Sequence, residues 1–154
     1  MTKLTAFGGA LAALLALGGS PAAAETARAA IWLGAGSPNG KFFADWTARI
    51  AENTGGSIDF DVYPGGMLLP PEGSLSGLES GVADLVFVTA GYIPSDLPLD
   101  NVLGDAAFVS ESQLELALAT LETKLFHPKM AAEYQAHNAV YAADMAIGVY
   151  NFQC

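Results

Sequence analysis

The sequence predicts an α/β fold with a mainly parallel sheet flanked by helices, and three observations carry that reading. Ile58, Phe60 and Val62 alternate with Asp59, Asp61 and Tyr63, the pattern of a strand with one buried face near a sheet edge. Leu85 to Thr89 (LVFVT) is continuously apolar and rich in β-branched residues, as a central parallel strand is. Segments of helical period lie between such runs, giving strand–helix–strand–helix–strand.

The elements follow in order. Ala29 to Leu33 (AAIWL) is a short apolar segment that reads as the first strand. Gly34 to Gly40 (GAGSPNG) is a loop, in which Ser37 or Asn39 can cap the next helix through a side-chain oxygen. That helix is expected over 39–53, with Phe42, Phe43, Trp46 and Ile50 as its apolar stripe. Gly55 suits a left-handed residue after the helix end. The strand 58–63 runs into a Pro64-Gly65-Gly66 turn. A short helix over 74–80 turns Leu75 and Leu78 inward and stops at Gly81. Residues 91–105 read as irregular, with Pro94 and Pro98 as breakers. A helix over 110–126 carries Leu114, Leu118, Leu121 and Leu125 on one stripe, read as core, with Ser110 or Ser112 near its cap. Pro128 opens a further helix that ends near His137-Asn138. Residues 139–143 and 147–153 read as closing strands.

The two ends suggest export and continuation. Lys3, an apolar run from Leu4 to Leu17, a Gly18-Gly19-Ser20-Pro21 break and Ala22-Ala23-Ala24 form a secretory signal over residues 1–24. The run is too short to span a bilayer, which needs about 20 residues. The apolar run leads into no cysteine, so a lipid anchor is not expected. The mature chain is expected to start at Glu25, soluble and outside the cytoplasm. Net charge is −10, one unit more negative once Lys3 is removed. That disfavours nucleic acid and anionic membranes as partners. Cys154 is the single cysteine, and strand-like residues run up to it. The chain therefore reads as the N-terminal portion of a longer protein.

Catalytic chemistry is scarce. The Gly34–Gly40 loop lacks the third glycine of a dinucleotide fingerprint, since Asn39 holds that place. Asp59 and Asp61 share one strand face and read as a solvated outer surface. Asp84 reads as a local backbone partner. His127 and His137 stand apart from any cysteine or acidic cluster at ligand spacing, so no metal is expected. No nucleophile elbow is present: Leu75 stands at the centre of Gly73-Ser74-Leu75-Ser76-Gly77. No cofactor and no catalytic residue are expected.

One stretch carries a family likeness. Thr54-Gly55-Gly56, the alternating strand to Tyr63-Pro64, the Leu68-Leu69 segment, the short helix closing on Gly81-Val82-Ala83-Asp84 and the strand 85–89 form a characteristic succession. It resembles the periplasmic solute-binding proteins of tripartite ATP-independent (TRAP) transporters, the DctP type. The resemblance implies a periplasmic-binding-protein-like lobe, incomplete at its C-terminus, with 25–154 as the first of two lobes. It implies capture of a small organic anion, a carboxylate or dicarboxylate, and delivery to membrane permease subunits, without bond making or breaking. By similarity, ligand contacts come from strand-to-helix loops: Ser37 and Asn39, then Met67 and Glu72, then Thr89 and Tyr92, with Tyr150 and Asn151 later. Met67-Leu68-Leu69 departs from the usual Gln-Leu-Gly, and the family's arginine anchor falls beyond Cys154. Arg28 and Arg49 are not placed to replace it. The layout also fits an ABC-type receptor, and a secreted α/β hydrolase is the alternative of different class.

Overall fold

The computed structural model of the protein describes residues 25–104 and 112–145. Strands β1 (Glu25–Ala30), β2 (Ile58–Tyr63) and β3 (Leu85–Val86) form a parallel sheet in the order β2-β1-β3. Helices α1 (Pro38–Asn53), α2 (Ser74–Glu79), α3 (Pro98–Gly104), α4 (Gln113–Phe126) and α5 (Pro128–Ala136) surround it. Parallel pairing demands crossovers, and α1 and α2 supply them. β1 aligns Glu25 with Ile58 through Ala30 with Tyr63, and on its other edge Ala29 with Leu85 and Ala30 with Val86.

Each face of the sheet has its own core. Ala29, Ile31 and Phe43 form one, with Trp46, Phe60, Val62, Leu85 and Phe87 packed on it. Leu75, Ala90, Ile93, Leu97, Met130 and Tyr134 form the other, joined by Val88. The alternation of Phe87 and Val88 between the two is the period of a strand covered on both sides.

Helix α1 starts where local chemistry directs. The Ser37 hydroxyl accepts from the Gly40 N–H at 3.0 Å, and Pro38 fills the first turn, where its missing N–H costs nothing. The helix ends on Thr54, with Gly55 and Gly56 both at positive φ and the Gly56 N–H donating to the Ala51 carbonyl at 2.8 Å. Its buried side is Gly40, Phe43 and Thr47. Phe42 is 50% exposed, so it lies outside the stripe assigned to it, and Thr47 takes the inward place. Thr47 can be buried because its hydroxyl donates back to the Phe43 and Ala44 carbonyls.

Other boundaries differ from the sequence reading for identifiable reasons. The β1 ladder begins at Glu25 and ends at Ala30, earlier than the apolar run 29–33. Backbone pairing with β2 holds the polar half of the strand. β3 is short because β1 leaves the sheet after Ala30; one further bond, Phe87 N–H to the Ala30 carbonyl at 2.9 Å, extends the contact. Among the described residues β3 pairs with β1 alone, so it ends the sheet rather than lying centrally.

Residues 91–105 are not irregular throughout. Ala90–Tyr92 is a 3-10 turn, and Pro98 opens α3. The α3 N-terminus is capped from a distance: Glu133 of α5 accepts from the Leu99 and Asp100 N–H groups at 2.7 and 3.0 Å. Helix α4 is capped by Ser112, and Ser110 lies outside the described residues. Its leucines are a correction: Leu114 is 69% exposed, Leu118 56%, and Leu125 is exposed as well, with Leu121 half-buried. Residues 139–145 carry no strand, and 147–153 lie outside the described residues.

Candidate functional site at the strand exits

The strand order β2-β1-β3 places a topological switch point between β1 and β3. The chain leaves β1 toward β2 on one side and reaches β3 on the other, the topology at whose carboxyl ends ligands of open α/β sheets are held. Three loops meet there.

The first is the β1 exit. The Ile31 N–H donates to the Tyr63 carbonyl at 3.0 Å, and the Ile31 and Leu33 carbonyls accept from Gly66 and Gly65 at 3.3 and 2.8 Å. These bonds lace the β1 exit to the β2 exit. Gly65 and Gly66 have φ of +69° and +73°, a conformation that L side chains disfavour, so the paired glycines let the turn fold back onto β1. The start of α1 closes on the same loop. A Cβ on Gly40 would collide with the Gly34 carbonyl oxygen, and the Ser37 hydroxyl donates to that carbonyl at 2.7 Å.

The third loop follows β3. Thr89 Oγ1 accepts a long hydrogen bond, 3.4 Å, from the indole Nε1 of Trp32. The Tyr92 ring meets Trp32 edge to face, centroids 5.4 Å apart at 75°, and Phe87 lies tilted at 6.5 Å. Trp32, Thr89 and Tyr92 thus form one aromatic and hydroxyl surface across the switch point. Trp32 was missed in the sequence, where it counts only as one apolar letter of AAIWL. Its contacts arise only once β1 and β3 stand side by side.

The remaining residues of the sequence expectation are placed as follows. The Ser37 hydroxyl is engaged on both sides, by the Gly40 N–H and the Gly34 carbonyl, and serves the helix start. Asn39 is the second residue of α1. Met67 is 75% exposed beyond the Gly65-Gly66 turn. Glu72 sits exposed in the 3-10 turn Pro71–Gly73. Leu69 packs where a Cβ on Gly77 would stand, which gives the Met67-Leu68-Leu69 segment a packing role. Tyr150 and Asn151 lie outside the described residues.

Two basic residues are committed elsewhere. Arg28 forms an ion pair with Asp84 at 3.1 Å, and the same carboxylate accepts the Arg28 N–H at 2.8 Å. The bonded guanidinium holds the Asp84 carboxyl below the usual carboxylate range. Asp84 precedes β3, so this latch sits at the amino end of that strand. Lys124 lies against Asp100 at 2.8 Å, and Asp100 is buried and also accepts from the Tyr134 hydroxyl at 2.7 Å. Burial, reinforced by that bond, pushes the Tyr134 hydroxyl far above its ordinary value.

A second concavity, about 130 Å³, is lined by Trp46, Leu85, Phe87, Lys124, Tyr141 and Met145 among others, and by none of the expected site residues. Lys124 and Asp100 are paired with each other within the fold, and Tyr134 stacks on Tyr141 at 5.5 Å, whereas the Tyr141 hydroxyl is buried with no hydrogen-bond partner among the described residues. The strand exits instead bring backbone, hydroxyl and aromatic groups together at one end of the sheet. Among the described residues no group of histidine, cysteine and acidic side chains could hold a metal, and no helix is long and apolar enough to cross a membrane.

Solved structures share this fold. A TRAP periplasmic solute binding protein from Desulfovibrio salexigens superposes with a TM-score of 0.63 at 24% identity, over 73% of this chain and 34% of that one. The sugar acid binding protein DctPAm from Advenella mimigardefordensis, solved with galactonate, gives 0.58 at 25% identity, over 71% and 36%. A TRAP periplasmic solute binding protein from a Sulfitobacter species, solved with β-D-galacturonate, gives 0.57 at 16%, over 73% and 37%. The chain thus spans about a third of the length of these structures, and they share its periplasmic-binding-protein-like fold. The profile of the DctP family matches residues 29–149, nearly all of the chain beyond its first strand residues. The chain belongs to the bacterial extracellular solute-binding proteins, family 7.

Proposed function

We propose that this chain is the first lobe of a two-lobe receptor that captures a small organic acid and delivers it to the membrane permease of a TRAP transporter. The observation that carries the reading is the convergence of three strand-exit loops at the β1/β3 switch point in a chain of this family. Ligands of open α/β sheets lodge there. Solved neighbours hold galactonate and galacturonate, both carboxylates, which supports an acid as the ligand. Capture is closure of two lobes, a population shift between open and closed forms, and the ligand leaves unchanged. Of the expected contacts, Thr89 and Tyr92 take the central role. Ser37, Asn39, Met67 and Glu72 are proposed as further contacts around them, and Tyr150 and Asn151, outside the described residues, are kept as contacts that the family resemblance implies.

Calorimetry on the full-length protein with a panel of sugar acids and short dicarboxylates tests this. Binding at micromolar Kd or tighter, with the acid recovered intact, is expected. Absence of binding across the panel, or conversion of the acid to a product, contradicts it. Residues 1–24 are proposed as a signal removed on export; intact-mass measurement of the exported protein should show Glu25 as the first residue, and retention of Met1 would refute it.

A further inference from the structure

We infer that Trp32 is the specificity-determining residue of the strand-exit site, selecting acids with a stackable C–H surface, a sugar ring or a polyhydroxylated chain, over short aliphatic dicarboxylates. The inference rests on the proposed binding of an organic acid at these loops.

Trp32 follows Ile31, which is 1% exposed in the core, and is itself half-buried. It meets Thr89 and Tyr92 beyond the end of β3, at the switch point between β1 and β3. The indole has three neighbours: its N–H donates to Thr89 Oγ1, the Tyr92 ring lies at 75° to it and the Phe87 ring at 38°. A large ring held in this way loses little freedom when a ligand settles on it, so its surface is preorganised. Aromatic faces carry negative charge density and attract weakly positive C–H groups. A hexuronate or aldonate offers several such groups beside its carboxylate; malonate offers one methylene. The hydrogen bond to Trp32 also orients Thr89. Its oxygen accepts the indole N–H, which leaves its own O–H to donate to a ligand oxygen. Tyr92, 45% exposed, extends the same wall with a hydroxyl at its tip. One aromatic wall with paired hydroxyl donors matches an alternation of C–H and O–H groups better than two carboxylates close together.

The test is calorimetry on the full-length protein with galactonate, galacturonate and malonate, for wild type, Trp32→Leu, Trp32→Phe and Tyr92→Leu. Trp32→Leu should weaken the sugar acids by about tenfold and malonate by less than about twofold, as expected for loss of one aromatic contact. Trp32→Phe, which keeps an aromatic face, should recover most of the loss. Tyr92→Leu sits at an exposed position and serves if Trp32→Leu unfolds, with a smaller selective loss of the same sign. Equal weakening of all three acids, no weakening, or tighter malonate than sugar-acid binding in wild type overturns the role of Trp32 and leaves the organic-acid reading standing. Wild type that binds none of them overturns both.

Discussion

Asp100 shows how much one buried carboxylate can hold. It accepts from Tyr134, pairs with Lys124 and lies on α3, so one side chain joins α3, α4 and α5. Lys124 also sits 5.1 Å over the Tyr141 ring. Removing one member of such a pair strands the other charge with little water around it. Asp100→Ala should cost about 3 kcal/mol in denaturant unfolding, whereas Asp100→Leu combined with Lys124→Met should cost less than the single change. A double variant weaker than Asp100→Ala would contradict this account of the pair. His137 makes a second clasp. Its Nδ1 lies 2.7 Å from Glu79 Oε1 and its Nε2 3.0 Å from the Asp96 carbonyl. Both partners are acceptors, so only the doubly protonated ring donates to both. The Glu79 bond, aided by the Asp96 carbonyl and opposed by burial, raises the His137 pKa above its ordinary 6.5. The stabilisation is therefore full below the unfolded value and is lost as pH rises through the folded one. With the partners partly exposed, the effect is roughly 0.5 kcal/mol, about 2 °C in Tm. Melting curves should show that loss above pH 6.5 in the native protein and not in His137→Gln; equal pH profiles would refute the clasp.

At the scale of the element, α1 is the helix whose first turn sets the shape of the β1 exit. Its first turn approaches the β1 exit so closely that only glycine fits at position 40, with the Gly34 carbonyl carbon 3.0 Å and Ser37 Oγ 3.1 Å from any added Cβ. Gly40→Ala should destabilise by about 2 kcal/mol through overpacking and should also move the Gly34–Ser37 loop. Thermal stability within 0.5 kcal/mol of wild type would show that the loop yields freely. Elements whose reasons are local were legible in the sequence: Ser37 before Pro38, the Gly55 stop, Gly81, and the alternation of 58–63. Elements whose reasons lie far away were not. Pro98 reads as a breaker because nothing nearby caps α3; its cap comes from Glu133, 34 residues on from Leu99. The leucine stripe of α4 has the right period for a core, yet periodicity states only that a face is apolar and not what covers it. At the strand exits, the positions of Thr89 and Tyr92 were legible from their place after an apolar strand. The contact of Trp32 with them was not, because it depends on β1 and β3 being neighbours.

At the scale of the molecule, the two cores are separated by a three-stranded sheet whose carboxyl ends carry exposed hydroxyl, aromatic and backbone groups, while the charged clusters lock the opposite end and the helical side. Arg28–Asp84 ties β1 to the start of β3, and Asp100–Lys124 ties the helices together. The strand exits are the surface proposed above for the ligand. The most direct test is nuclear magnetic resonance of the isotope-labelled full-length protein, titrated with galactonate. The account predicts that the Trp32 indole N–H and the amides of Gly34–Ser37 and Thr89–Tyr92 shift together and saturably. Shifts gathered instead around Asp100, Lys124 and Tyr141, with the strand exits silent, would contradict it.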